Sequence, residues 1–215
     1  VKKTFDLSVY FIADPSLCSG RDVSDVVRLA LSGGATMVQY RDKSGDLNAI
    51  NRNAAILQKI CDEFAAAFLI NDHVDLAQTI NADGVHLGQG DMSAAEARRV
   101  LGPDAIIGIT AFTPVHMTAI DPGIVDYAGT GPVYPTQTDK GKQVLGPEKF
   151  AQLVKLCPVQ VVGIGGITPE NAAPVLHAGA QGVAMMRAIS AAPDPKEAAM
   201  NFKDIVAAAR MQKAS

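Results

Sequence analysis

The chain repeats one unit eight times: a short apolar run followed by a segment with helical spacing. The runs read "SVYFIA" (8–13), "TMVQY" (36–40), "AFLIN" (67–71), "GVHL" (84–87), "AIIGIT" (105–110), "VDYAG" (125–129), "VQVVGIG" (159–165) and "GVAMM" (182–186). They are almost continuously apolar, as strands buried on both faces must be, whereas a half-wet antiparallel sheet would alternate. Between them, "DVSDVVRLALSGG" (22–34) has helical spacing and stops at paired glycines. "TPENAAPVLHAGA" (168–180) reads as a helix with Thr168 as N-cap, Pro169 in its first turn and Gly179 at its end. Strict β/α alternation demands a parallel sheet with right-handed crossovers. Eight such units in 215 residues fit a closed barrel better than an open, doubly wound sheet. The expectation is an α/β chain folded as a single-domain (β/α)8 TIM barrel over residues 1–215.

Composition narrows the function classes. A formal charge of −3 and a pI near 5.8 leave no basic excess to displace counterions, which argues against nucleic acid as a partner. Cys18, Cys61 and Cys157 are odd in number, scattered and without a CxxC pair, so neither a disulfide framework nor a structural zinc site is expected. The first residues, "VKKTFDLSVY", lack a signal-peptide core, and no apolar run nears the roughly 18–20 residues of a membrane span. A cytoplasmic protein acting on small molecules, with no membrane partner and a possible homo-oligomeric state, is the expectation.

In such a barrel, chemistry gathers at the C-terminal ends of the strands, and polar residues sit at nearly every one of those junctions. Asp14 follows the first run; Gln39, Arg41 and Lys43 follow the second, at every other position; Asn71 and Asp72 follow the third. "HLGQGD", ending in Asp91, follows the fourth and Thr110 closes the fifth. Gln39, Arg41 and Lys43 would share one face of an extended backbone, either as a solvated strand end or as a polyphosphate site. "GIGG" (163–166) before a helix start could cradle a phosphate on backbone N–H groups, or simply serve a tight turn. Asp72 and Asp91 could share a hard divalent cation through oxygen ligands, or cap the helices that follow them. The proline-stiffened "GPVYPTQT" (131–138) ends in two hydroxyls, Thr136 and Thr138. His86 reads as a satisfied imidazole of the barrel interior, and His73, His116 and His177 have no ligand-like partners nearby. Met185 and Met186 read as packing residues, with a backbone that can still serve the site.

The segments "SVYFIAD", "GGATMVQYRDK", "FLINDHVDLA", "ADGVHLGQGD", "GPVYPTQT" and "GIGGITPENAAPVLHAGAQGVAMM" together resemble successive blocks of the thiamine phosphate synthase family, in order and over nearly the whole chain. That family is a TIM barrel that joins a pyrimidine methyl diphosphate to a thiazole ethyl phosphate and releases pyrophosphate with the help of Mg2+. The resemblance implies that Gln39, Arg41, Lys43 and Asn71 hold the pyrimidine diphosphate, with Arg41, Lys43 and Lys140 as catalytic cations. It implies Asp72 and Asp91 as magnesium ligands and Thr110 against the pyrimidine. Thr136, Thr138, Gly166, Met186 and Arg187 would hold the thiazole phosphate.

Three positions depart from the family pattern. Thr110 stands where serine is usual, and Arg187 where a small serine is usual. Asp139, a substrate-binding position, replaces the lysine after "TQT", leaving Lys140 or Lys142 to supply its charge. Two alternatives follow from the same likeness: a paralogue that binds thiazole phosphate or thiamine phosphate without turnover, and a thiazole tautomerase-like enzyme. The tautomerases use a histidine shortly after the fifth strand, where this chain has Phe112.

Overall fold

Eight parallel strands pair in sequence order and close on themselves, β1 against β8, into a complete barrel. They are β1 (Val9–Ala13), β2 (Met37–Tyr40), β3 (Ala67–Asn71), β4 (Gly84–Leu87), β5 (Ile106–Thr110), β6 (Tyr127–Thr130), β7 (Gln160–Ile164) and β8 (Gly182–Met185). The helices are α1 (Val23–Gly33), α2 (Leu47–Glu63), α3 (Val74–Ile80), α4 (Ala94–Leu101), α5 (Pro114–Thr118), α6 (Gly146–Leu156), α7 (Ala172–His177), α8 (Arg187–Ser190) and α9 (Pro195–Lys213). This computed structural model describes residues 3–138, 141 and 143–213. Among them no helix is long and apolar enough to cross a membrane. Each of the eight apolar runs is a strand, within two residues of the expected bounds at either end.

The strands are apolar on both faces because each face meets a different core. Tyr10, Ile12, Met37, Leu69, Ile106 and Tyr127 fill the barrel interior. Their neighbours Val9, Phe11, Val38, Phe68 and Ile107 point outward into the layer shared with the helices. Side chains of period two therefore serve two buried surfaces at once. Gly108 on β5 is required by this packing: a Cβ there would lie 2.1 Å from the ring of Tyr127, its register partner on β6.

Helix boundaries settle several open readings. Asp22 caps α1 through Ser24 N, and Gly34 ends it at φ 108°. Ser93 and Glu96 form a reciprocal capping box at α4, so Asp91 is not that helix's cap. His73, not Asp72, occupies the N-cap position of α3. The helix expected with Thr168 as its N-cap is shifted by three residues: it begins at Ala172, with Asn171 at the N-cap position. Here the segment 165–168, just past β7, is held as a bend instead. Ile164 O accepts from Val133 N and Gly165 O from Tyr134 N, while Thr168 N donates to Asn171 Oδ1. Gly179, just past α7 at φ 112°, ends it as expected.

Candidate active site

At the C-terminal rim the strand ends surround a cavity of about 660 Å³. From β2 and the loop after it come Gln39, Arg41 and Lys43; from the end of β3, Asn71 and Asp72; from the loop after β4, Asp91. Thr110 closes β5, Thr136 and Thr138 lie in the loop after β6, Gly166 follows β7, and Met186 and Arg187 follow β8. All twelve line the same cavity although they span nearly 150 positions of sequence. Asp139, Lys140 and Lys142 lie outside the described residues.

Each charged side chain in the rim has a specific support. Arg41 Nη1 meets Asp14 Oδ2 at 2.5 Å, and Asp14 is almost fully buried. Lys43 Nζ pairs with Asp72 Oδ2. Asp72 has a φ of 63°, a left-handed conformation that non-glycine residues adopt rarely and that marks functional positions often. Its N–H donates to His86 O, which ties the turn to β4. Asp91 Oδ2 accepts from Gly88 N at 2.7 Å, so the carboxylate folds back over its own loop toward Asp72. The two carboxyl groups meet in a side-chain hydrogen bond.

The electrostatics follow from that meeting. Desolvation, and then the contact with Asp72, raises the Asp91 carboxyl above its ordinary range. For Asp72, desolvation also pushes upward, but hydrogen bonds from Lys43 and Asp91 outweigh it and the net direction is down. Beneath them, desolvation in the barrel lowers His86 to about 4, so the ring is neutral at pH 7. Burial pushes the thiols of Cys18, Cys61 and Cys157 up, and none of them lines the cavity.

Gly165 and Gly166 of "GIGG" answer to the neighbouring loop. A Cβ on Gly166 would lie 2.4 Å from Pro135 O and 2.8 Å from Tyr134 O, at a φ of 64°. The turn after β7 and the loop after β6 thus touch backbone to backbone, and together form the wall opposite Arg41 and Lys43. Gly165 and Gly166 form the bend after β7 and line the cavity, whereas Gly163 lies within β7.

The model for thiamine monophosphate synthase matches residues 9–189 of this chain. The thiamine-phosphate synthase of Azorhizobium caulinodans is 41% identical over 208 residues, covering 96% of this chain and 98% of that protein. The chain belongs to the thiamine monophosphate synthase family. The thiamine-phosphate synthase of Bacillus velezensis is 44% identical over 203 residues, covering 92% of this chain and 90% of that one. Among solved structures, thiamine phosphate pyrophosphorylase from Pyrococcus furiosus superposes with a TM-score of 0.86 at 33% identity, covering 94% of this chain and 96% of that chain.

For a thiamine monophosphate synthase family member, the rim residues can be tested against a divalent cation. Two carboxylates converge without serving as helix caps, and their proximity raises the Asp91 carboxyl. Among the described residues no group of three or more His, Cys, Asp or Glu is placed to hold a metal. A hard ion such as Mg2+ needs no such group, since it keeps several waters and takes one or two carboxylates plus substrate phosphates. Asp72 and Asp91 fit that donor set.

Asp14, Gly88, Tyr10 and Tyr127 support the site without standing out as site residues in the sequence. Asp14 carried a signal, a carboxylate at a strand end. The tyrosines carried none, because an aromatic residue in an apolar run reads as packing.

Proposed function

We propose that this chain is a magnesium-dependent transferase that joins 4-amino-2-methyl-5-(diphosphooxymethyl)pyrimidine to 4-methyl-5-(2-phosphooxyethyl)thiazole, giving thiamine phosphate and pyrophosphate. The observation that carries this reading is the cavity's two-sided charge plan. Arg41, Lys43 and the aspartate pair stand on one wall, and the Gly166 turn with Arg187 stands on the other. One cavity thereby offers a diphosphate site and a separate phosphate site with room for two small rings between them.

In the reaction, the bond between the exocyclic methylene and the diphosphate oxygen breaks, and its electron pair leaves with pyrophosphate. The aminopyrimidine ring delocalises the positive charge left on carbon. The lone pair of the thiazole nitrogen then forms the new C–N bond. Arg41 and Lys43 stabilise the negative charge as it develops on the leaving group, an effect strengthened by their fixed positions in a partly desolvated wall. Magnesium bound at Asp72 and Asp91 would neutralise part of that same charge. Gln39, Asn71 and Thr110 orient the pyrimidine, while Thr136, Thr138, Gly166, Met186 and Arg187 hold the thiazole phosphate. No protein nucleophile or base is needed at the attacking atom, consistent with a described cavity wall that holds no cysteine. Phe112, at the position where tautomerases use histidine, does not line the cavity.

The test is the purified protein with both substrates and Mg2+, followed for thiamine phosphate and pyrophosphate. Formation of both in equal amounts is expected. Tight binding of the thiazole phosphate with no product would replace this reading with that of a non-catalytic binder.

A further inference from the structure

Below the cavity floor an apolar barrel buries a chain of polar side chains. Gln39 Nε2 donates to Tyr10 Oη at 2.6 Å, and Tyr10 Oη lies 2.6 Å from Tyr127 Oη. Tyr127 Oη lies 2.9 Å from His86 Nδ1, and His86 Nε2 lies 3.0 Å from Thr110 Oγ1. The chain begins and ends on residues that line the cavity, Gln39 and Thr110, and the His86 ring between them also reaches the cavity wall. Both tyrosines are fully buried, and Gly108 and Gly129 leave the space that Tyr127 and His86 occupy. Burying this many polar atoms is costly unless every one is paired.

We propose that Tyr10, Tyr127 and His86 are positioning residues forming a one-way hydrogen-bond relay. It fixes Gln39 as an acceptor and Thr110 as a donor toward the cavity, so that the site selects a 4-aminopyrimidine over its 4-oxo counterpart. This rests on the proposed function for the identity of the ligand, and on hydrogen counting for the rest. An amide nitrogen only donates and a hydroxyl has one hydrogen. Tyr10, having accepted from Gln39, passes its own hydrogen to Tyr127, and Tyr127 passes its hydrogen to Nδ1. A neutral imidazole that accepts at Nδ1 carries its proton on Nε2 and gives it to Thr110. Thr110 keeps its hydrogen for the ligand, and Gln39, with Nε2 on Tyr10, offers Oε1. A 4-aminopyrimidine presents an N–H donor beside a ring-nitrogen acceptor, which matches this pair. The 4-oxo ring presents the reverse pattern and would leave both groups unpaired.

The first arm of the test needs no turnover. Nitrogen-15 spectra of the histidine rings, with His86 assigned by exclusion through His73→Gln, His116→Gln and His177→Gln, should show His86 protonated on Nε2 and bare at Nδ1. A proton on Nδ1, or exchange between tautomers, overturns the relay. The second arm measures calorimetric binding of the amino and oxo pyrimidine diphosphates with Mg2+. The wild type should prefer the amino form by about a hundredfold or more. Tyr127→Phe should lose about tenfold of that preference and leave thiazole phosphate affinity unchanged. Equal wild-type affinities, or full preference in the variant, refute the proposal. Should Tyr127→Phe fail to fold, Tyr10→Phe takes its place. A chain that makes no thiamine phosphate but passes the first arm loses the proposed function and keeps the relay.

Discussion

Asp14 divides its two carboxylate oxygens between structure and site. Oδ1 accepts from Ser16 N at 3.0 Å and Ser16 Oγ at 2.6 Å, closing the short turn after β1, while Oδ2 holds Arg41 Nη1. An arginine side chain has several rotatable bonds, and this contact aims it before substrate arrives. Asp14→Asn keeps an acceptor for Ser16 and removes the charge from Arg41. Steady-state kinetics should show kcat/KM for the pyrimidine diphosphate falling by about tenfold or more, with little change in Tm. A fall in Tm with unchanged kinetics would make Asp14 a structural residue only.

Asp72 tolerates its left-handed backbone because aspartate and asparagine do so more readily than other residues. Asp72→Asn therefore isolates charge from conformation, which Asp72→Ala would not. Asp72→Asn and Lys43→Ala should each reduce turnover by roughly a hundredfold or more, with far smaller effects on thermal unfolding. Chelation should abolish activity and added Mg2+ restore it. Variants that lose stability and activity in parallel would contradict the assigned roles.

Gly166→Ala places a methyl group against Pro135 O and Tyr134 O at a φ of 64°. The expected cost is about 2 kcal/mol in a denaturant titration. The loop after β6 must move away from the β7 turn, so KM for the thiazole phosphate should rise more than KM for the pyrimidine diphosphate. Equal changes in both would show that the turn does not belong to one substrate.

The imidazole of His86, held near 4 against an ordinary value of 6.5, makes stability depend on pH. Below pH 6.5 the unfolded chain binds a proton that the native ring refuses, so stability declines from there to about pH 4 and levels off beneath it. The loss attributable to this residue is at most about 3 kcal/mol. Urea unfolding at pH 7 and pH 4.5 should show a steeper decline for wild type than for His86→Gln. Equal declines would mean the ring is protonated in the native state.

Local order was legible in the residues; partnership was not. The apolar runs announced eight strands because a strand buried on both faces has no polar positions to spare, and the cavity residues could be named because each follows such a run. The likeness to the synthase blocks placed the same residues in the same roles. Yet Asp72 and Asp91 read equally well as helix caps, since aspartate suits both tasks and no local pattern separates them. Only the fold removes the capping readings, by giving the N-cap positions of α3 and α4 to His73 and Ser93.

The same holds for the helix expected at Thr168, which has every local signal of a start. Contacts with Tyr134 and Pro135, more than thirty positions away, hold that segment as a turn. Tyr10 and Tyr127 touch across 117 residues, and Asp14 reaches Arg41 from a neighbouring strand. Periodicity records which face a side chain takes, because that depends on the backbone within a few residues. It cannot record which atom waits on the other side, because barrel closure alone brings that atom there.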